Sequence, residues 1–253
     1  MAEKPTVALG IDIGGSGIKG APVNLVTGEF LEERCKVATP SRSTPEAVAK
    51  IVDEIAAQFM DTLPADAPIG VTIPGIVKHG VVQSAANIDK AWMGYDGEKL
   101  FSKALGRHVH LVNDADAAGV AELRYGAARG KDGLIILTTL GTGIGIALLY
   151  DGVLIPNAEL GHIELNGHDA ESRAAASAKD REGLSYEEWA TQRLQPYYAM
   201  LEFLLSPDLF VVGGGVSRKS EKFLPYLRLN TPIIPATLQN AAGIIGAAAL
   251  AAD

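Results

Sequence analysis

Gly10-Ile-Asp-Ile-Gly-Gly-Ser-Gly-Ile-Lys19 and Thr139-Leu-Gly-Thr-Gly-Ile-Gly145 decide how this chain reads. Each is a glycine-rich turn between apolar runs, Val7 to Asp12 and Ile18 to Val23 around the first, and each reads as a strand–turn–strand hairpin. Glycine has no Cβ, so such a turn brings several backbone N–H groups close to one anion and forms a candidate phosphate cradle. The better-known phosphate motifs do not fit. A dinucleotide fingerprint runs into a helix, whereas Gly145 runs into Ile146-Ala-Leu-Leu-Tyr-Asp-Gly152, and neither loop has the Gly-Lys-Ser/Thr ending of a P-loop. An ordinary hairpin turn is the alternative for either loop alone. The two loops lie about half of the 253-residue chain apart, with Asp12 leading one and Thr142 inside the other, and the pairing points to a phosphoryl donor gripped from both sides.

Outward from the hairpins the plan repeats. A third run, Glu29–Val37, follows the turn at Asn24 to Gly28. Thr44-Pro45-Glu46 then opens a helix, with threonine as N-cap and proline at the first helical position, carrying Val48, Ile51, Ile55 and Phe59 on one face. Pro68–Ile73 and Val109–Val112 read as strands, the latter leading into Asn113-Asp-Ala-Asp116 and an alanine-rich helix to about Tyr125. The second half has its hairpin from Leu134 to Tyr150, then a long helix from Ser185 with Glu188 completing a capping box. A strand Leu209–Val212 meets Gly213-Gly-Gly-Val-Ser217 before another helix, and Ile233-Ile234 precedes a last helix from Gln239. The expectation is an α/β protein of two similar halves flanking a cleft: a small domain over residues 1–115, a larger one over 116–239, and a terminal helix of about 240–253 packing back on the first.

Composition excludes several classes. A formal net charge of −8 argues against nonspecific binding to nucleic acid or membrane surfaces. Cys35 is the only cysteine, so neither an intrachain disulfide nor a cysteine zinc site is expected. Met1-Ala-Glu-Lys-Pro-Thr6 passes straight into a strand, and the uncharged stretch Gly133 to Tyr150 is broken by threonines and glycines, so a cytoplasmic protein is expected.

Three clusters can carry chemistry. Asn113 and Asp114 stand where a strand ends and a helix begins, the place where open α/β sheets put ligands. An aspartate there can accept a hydroxyl proton while the neighbouring amide fixes the hydroxyl's direction, though both residues, and Asp116, also suit a helix start. Asn157-Ala-Glu-Leu-Gly-His162-Ile-Glu164 gathers two carboxylates, an imidazole and an amide, which can hold several sugar hydroxyls by paired donor and acceptor contacts. His162, Glu164 and His168 raise a metal site as the competing idea, but their spacing fits no zinc pattern. Gly213, Gly214 and Gly215 offer bare backbone at a helix start, suited to a nucleotide or another phosphate. Arg218, Lys219 and Lys222 follow closely, and such local basic groups either guide a polyanion or are ordinary surface charges.

Assembled, these residues resemble the sugar kinases of the ROK family, within the actin-like, sugar kinase and Hsp70 superfamily. Asp12-Ile-Gly-Gly-Ser-Gly-Ile-Lys19 is similar to the first phosphate motif, Leu140-Gly-Thr-Gly-Ile-Gly145 to the second, and Gly213-Gly-Gly215 to the loop near adenosine. Ile73-Pro-Gly-Ile-Val77, Asn87, Asn113-Asp114 and Glu159-Leu-Gly-His162 resemble the sugar-binding positions. More narrowly, Asn157 to Glu164, Gly167-His-Asp-Ala-Glu171 and Thr231-Pro to Ala247 look like the actinobacterial polyphosphate glucokinases, including the polyphosphate/ATP glucomannokinase type. One departure stands out: many ROK kinases carry a cysteine-rich zinc loop after the Glu-x-Gly-His motif, and Asn166 to Ser177 contains no cysteine.

The resemblance implies the duplicated actin-like ATPase, or ribonuclease H-like, fold and transfer of a phosphoryl group to the 6-hydroxyl of glucose, and of mannose, from inorganic polyphosphate or ATP. It implies Asp114 as the base, with Gly75, Asn87, Asn113, Asp114, Glu159, His162 and Glu171 on the sugar. Asp12, Gly14, Gly15, Ser16, Lys19, Gly141, Thr142 and Gly143 would hold donor phosphates, and Gly213, Gly214 and Gly215 the nucleotide or the phosphate chain. Asp12 would position magnesium, directly or through water; no zinc is expected. A homodimer is implied. The rivals are an ATP-only kinase for another hexose or an N-acyl-hexosamine, and a non-catalytic sugar sensor. Sensor relatives carry an N-terminal winged helix, which is not expected here because the first strand begins near Thr6.

Overall fold

The structure, a computed structural model, describes residues 4–85 and 87–253. The chain separates into two compact units, one formed by residues up to Ala121 together with Ala241–Asp253, the other by Glu122–Asn240.

In the first unit β1 (Val7–Gly14) and β2 (Gly17–Asn24) form the predicted hairpin, followed by β3 (Cys35–Val37), α1 (Pro45–Ala57) and β4 (Ile69–Ile73). A small ribbon, β5 (Val77–Lys78) with β6 (Val81–Val82), precedes α2 (Gly97–Leu105), β7 (Val109–Asn113) and α3 (Asp114–Tyr125). The sheet order is β3-β2-β1-β4-β7, with β1, β4 and β7 parallel and the hairpin antiparallel. The run expected over Glu29–Val37 is strand only at its end. Phe30 makes an isolated bridge to Val23, and the exposed residues between leave the ladder until Cys35. Helix α1 starts as read: the Thr44 side chain accepts from Ala47 N at 3.3 Å, and Pro45 needs no partner for an N–H it lacks. Its Val48, Val52 and Ile55 pack with Leu9, Ile11, Val71, Trp92 and Phe101. Each such fully buried aliphatic or aromatic side chain contributes about 1.5–3 kcal/mol of transfer free energy.

The second unit contains β8 (Leu134–Leu140), β9 (Ile144–Tyr150), β10 (Val153–Ile155), the ribbon β11 (Glu164–Leu165) and β12 (His168–Asp169), then α4 (Ala170–Ala174) and α5 (Ala176–Glu182). The long helix from Ser185 is α6 (Tyr186–Trp189), a π-helical turn (Ala190–Leu194) and α7 (Gln195–Leu205) in succession. Its capping box is present, with Ser185 accepting from Glu188 N and the Glu188 side chain accepting from Ser185 N. β13 (Leu209–Gly213) and β14 (Ile233–Pro235) complete a sheet ordered β10-β9-β8-β13-β14, the same topology as the first. Trp189, Tyr197, Tyr198, Phe210 and Phe223 dominate its core. The helix expected after Gly213-Gly-Gly is instead a 3-10 segment, Gly215–Lys222, interrupted at Lys219 by non-helical backbone.

The terminal helix α8 (Ala242–Ala251) starts after a short 3-10 turn at Gln239–Ala241 rather than at Gln239. It is apolar all round, as befits a helix buried on all sides. It lies against β1 and β4 almost backbone to backbone: a Cβ at Gly10 would run into the Ile244 carbonyl oxygen, and one at Gly70 into that of Ala247. In the second unit, the fully buried Glu122 carboxylate accepts from Ala127 N and Leu238 N at 2.7 Å, Thr237 N at 3.2 Å and Thr237 Oγ1 at 3.1 Å. Among the described residues no helix is long and apolar enough to cross a membrane.

Candidate functional site

The first glycine turn is braced by its own sheet. Asp12 on β1 pairs across to Lys19 on β2, with Lys19 Nζ 3.4 Å from Asp12 Oδ2. Thr72 on β4 donates to Asp12 Oδ1 at 2.9 Å and accepts from Ile13 N at 3.3 Å. The carboxylate is largely screened from solvent, and Gly243 on α8 comes so close that a Cβ there would sit 2.8 Å from Asp12 Oδ1. The Gly14 carbonyl accepts from Thr39 Oγ1 at 2.5 Å. Gly15 and Ser16 form the exposed tip, and Asn87, with left-handed φ of 58°, lies beside Gly15.

At the end of β7 the buried Asn113 side chain does two things. Its Oδ1 caps α3 by accepting from Ala115 N and Asp116 N at 2.9 and 3.0 Å, and its Nδ2 donates to the Gly75 carbonyl at 3.1 Å. The cap is therefore Asn113's role. Asp114 follows on the first helical turn, half-buried, with one carboxylate oxygen accepting from Ala115 N at 2.9 Å. Gly75 must be glycine because a Cβ would meet the Ser84 carbonyl, and Ser84 Oγ accepts from Ile76 N at 2.9 Å.

The second glycine turn borrows its carboxylate from a helix. Glu171 on α4 accepts from Ile144 N at 2.7 Å, and its carboxyl crowds Gly143 so closely that any Cβ there would displace it. Ser177 on α5 holds the same turn from the other side, its N donating to Gly141 O at 3.0 Å and its Oγ to Thr142 O at 2.6 Å. Next to this turn is a pocket of about 370 Å³ lined by Gly141, Thr142 and Gly215 with Lys179, Lys219 and Tyr186. Lys179 Nζ stands 4.6 Å from the centroid of the Tyr186 ring. Gly214, with φ of 79°, packs its backbone on Leu140, which brings the Gly213–Gly215 turn against the glycine hairpin.

Glu159, Gly161 and His162 form a short 3-10 turn over β9, where Gly161 is required because a Cβ would strike the Ile144 carbonyl. His162 Nδ1 lies 2.8 Å from Asp169 Oδ2, and its Nε2 lies 3.9 Å from Glu159 Oε2. The hydrogen bond to Asp169 is the main cause that raises His162 above the ordinary histidine value, helped by Glu171, Asp169 and Glu159 as nearby charges and opposed by burial. Burial pushes Glu159 upward, offset by His162 and reinforced by Glu171. Asp169 reaches His162 because Asn166-Gly167, both at positive φ, make a two-residue hairpin turn between β11 and β12. The histidines of the metal idea are thus used otherwise: His162 engages Asp169, and His168 Nε2 lies 2.9 Å from Arg173 Nη2. No group of three or more His, Cys, Asp or Glu among the described residues is arranged for a metal ion.

Within each unit the predicted residues therefore fall together. Asp12 and Lys19 adjoin, as do Gly15 and Asn87, and Asn113 joins Gly75; Gly141 and Thr142 share a pocket with Gly215, and Glu159, His162 and Glu171 interact. Sequence reasoning missed Thr72, Asp169, Ser177 and Lys179. Asn166-Gly167 is a strong hairpin signal that would have returned Asp169 toward His162. Nothing local marks Thr72 or Lys179.

The ROK family profile matches residues 8–178. A polyphosphate glucokinase of Mycobacterium tuberculosis is 50% identical over 240 residues, covering 94% of this chain and 89% of the relative. The crystal structure of an inorganic polyphosphate/ATP-glucomannokinase from Arthrobacter sp. strain KM is 53% identical, with a TM-score of 0.93 over 98% of this chain and 99% of that one. A ROK family glucokinase from Streptomyces griseus, solved with glucose and AMPPNP, is 26% identical with a TM-score of 0.79, covering 96% and 98% of the two chains.

Proposed function

The chain belongs to the ROK family, and from that premise we propose that it transfers the terminal phosphoryl group of inorganic polyphosphate or ATP to the 6-hydroxyl of glucose. The observation that carries this reading is the second glycine turn, which borders a pocket walled by Lys179 and Lys219, in a chain half identical to a polyphosphate glucokinase. A flexible ammonium suits a chain of phosphates, and the backbone N–H groups of a glycine turn suit its terminal oxygens.

Asp114 takes the proton of the attacking hydroxyl, general base work worth about 10²–10⁴ in rate. Asn113 and Gly75 steer that hydroxyl, while Glu159, His162, Glu171 and Asn87 hold the remaining sugar oxygens. Asp169 is a positioning residue: its carboxylate fixes the His162 ring through Nδ1 and leaves Nε2 for the sugar. Gly14, Gly15, Ser16 and Lys19, with Gly141, Thr142 and Gly143, receive donor phosphoryl oxygens. Gly213, Gly214 and Gly215 border the remainder of the donor. Asp12 offers hard carboxylate oxygens already ordered by Thr72 and Lys19, which fits magnesium, an ion usually held by one or two carboxylates, waters and substrate phosphates. Magnesium supplies charge neutralisation on the donor oxygens.

Mannose as a second acceptor has the support of the Arthrobacter relative's being a glucomannokinase. A homodimer has the support of Phe203 and Leu204, exposed to 82% and 56% near the end of α7. We place the reaction in the cytoplasm. The test is Asp114→Ala, assayed with glucose against ATP and against polyphosphate: glucose binding persists and turnover falls by at least about 10² with both donors. Turnover close to wild type would remove Asp114 from the role of base, and wild-type protein inactive with either donor would overturn the kinase reading.

A further inference from the structure

Away from the donor pocket and the sugar residues, the second unit holds another cavity, of about 220 Å³. Asn166 from the β11–β12 turn, His168 from β12, Arg173 from α4, and Gln192 and Arg193 from the π-helical turn line it, and it shares no lining residue with the donor pocket. No carboxylate is among its lining residues; its polar groups are two guanidinium ions, two amides and an imidazole, all able to donate.

Arg193 Nη2 meets Glu182 Oε2 at 2.8 Å, while Arg193 Nε is buried with no hydrogen-bond partner among the described residues. Arg173 Nη2 lies 2.9 Å from His168 Nε2, a ring nitrogen rather than a carboxylate. Arg193 by its hydrogen bond, then Arg173 and Arg181 as nearby charges, hold the exposed Glu182 carboxyl below its usual value. Three guanidinium groups, those of Arg193, Arg173 and Arg181, thus act on the Glu182 carboxylate. The wall itself is unusual: Gln192 and Arg193 sit on the π-helical turn, a costly local geometry that recurs at functional sites.

We infer that this cavity is a second anion site, binding a phosphoryl group independently of the donor pocket. Donors converging from a hairpin turn, α4 and the π turn suit a tetrahedral oxyanion, whose oxygens point several ways, better than a planar carboxylate. The choice of phosphate over other anions rests on the kinase reading, whose donor and product both carry phosphoryl groups.

The experiment titrates inorganic tripolyphosphate into the full chain by calorimetry, with the donor pocket weakened by Lys219→Glu. One binding event remains, and adding Arg173→Glu or Gln192→Glu weakens it at least tenfold. Both residues are exposed, and an unchanged Tm confirms that the fold is kept. Competition by inorganic phosphate, glucose 6-phosphate or long-chain polyphosphate then identifies whether a free ion, a sugar phosphate or a distal stretch of donor chain binds tightest. No binding in the Lys219→Glu protein, or binding that survives both further substitutions, overturns the second site. Arg173→Glu in the otherwise native chain leaves ATP-driven turnover at the wild-type level, so loss of the kinase reading itself would show separately, as inactive wild-type protein.

Discussion

On the third cross-strand pair from each glycine turn, the first sheet sets Thr72, Asp12 and Lys19 side by side, and the second sets Val212, Thr138 and Ile146. Strand order and direction are the same around both turns, yet one rung is ionic and the other is buried and apolar but for a hydroxyl tied to Tyr198 at 2.7 Å. The first turn accordingly carries its acid on its own strand. The second, with none on that rung, takes Glu171 from α4, two residues beyond the hairpin that also supplies Asp169. The repeated architecture thus fixes where a loop stands, and side chains outside the repeat decide what it can bind.

Substitutions across the two rungs test that contrast. The largest effect is expected from Asp12→Thr, which gives the first rung the residue of the second: steady-state kinetics should show kcat lower by about 10²–10³ with glucose KM little changed, as for loss of one preorganised electrostatic group. Activity close to wild type would mean that the ionic rung is structural. Next comes Gly143→Ala, whose Cβ must displace the Glu171 carboxylate from Ile144 N; a displacement of about 1 Å near the reacting groups can cost up to about 10² in rate. Gly14→Ala should lose much less, since its Cβ would stand 3.2 Å from Gly17 O and needs only a small adjustment. Equal losses in the two variants would erase the difference between the turns.

Asp169→Asn sharpens the comparison further, because it tests the segment that only the second unit has. Loss of an ion-paired hydrogen bond between half-exposed groups, about 0.2–1 kcal/mol, should raise glucose KM up to about fivefold with kcat largely kept. Asp169 raises the His162 pKa, so its removal should move the acid-side inflection of the KM profile to lower pH. For stability the sign is the same. A raised histidine contributes below its unfolded value and loses that contribution as pH rises through the folded one, so the variant is weakened on the acid side and matches wild type in alkali. A profile that does not move would reduce Asp169 to a surface hydrogen-bonder. The smallest effect on activity is expected from Thr138→Val, which leaves the fully buried Tyr198 hydroxyl unpaired. Denaturant unfolding should register about 1–3 kcal/mol, with kinetics unchanged.

What could be read in advance was local. Glycines between apolar runs gave both hairpins, Thr44-Pro45 and Ser185 with Glu188 gave helix starts, and the Asn113-Asp114 junction followed from a strand running into an alanine-rich helix. Thr72 was illegible because its meaning comes from lying beside Asp12, sixty residues away, in a parallel pair whose register no local pattern announces. Lys179 was hidden likewise: on α5 it looks like any helical lysine until Tyr186 and the glycine turn are folded against it. Nothing in the alanine-rich helix marks Glu122, which is fully buried with four donors. The strand overestimated before Cys35 shows the opposite error: Leu31 to Arg34 are exposed and mostly charged, on an edge with too little ladder to hold them.

Helix α8 carries a consequence for the order in which the molecule is completed. Gly10 and Gly70 leave room on the first sheet for the main chain of residues 242–251, so β1 and β4 have an uncovered face until those residues have been made. The unit spanning residues 122–240 is contiguous and can finish during synthesis, as domains generally do. Of the two units, the one begun earlier is therefore completed later, and a chain that stopped before Ala242 would present bare β-sheet beside Asp12 to whatever chaperone or protease meets it.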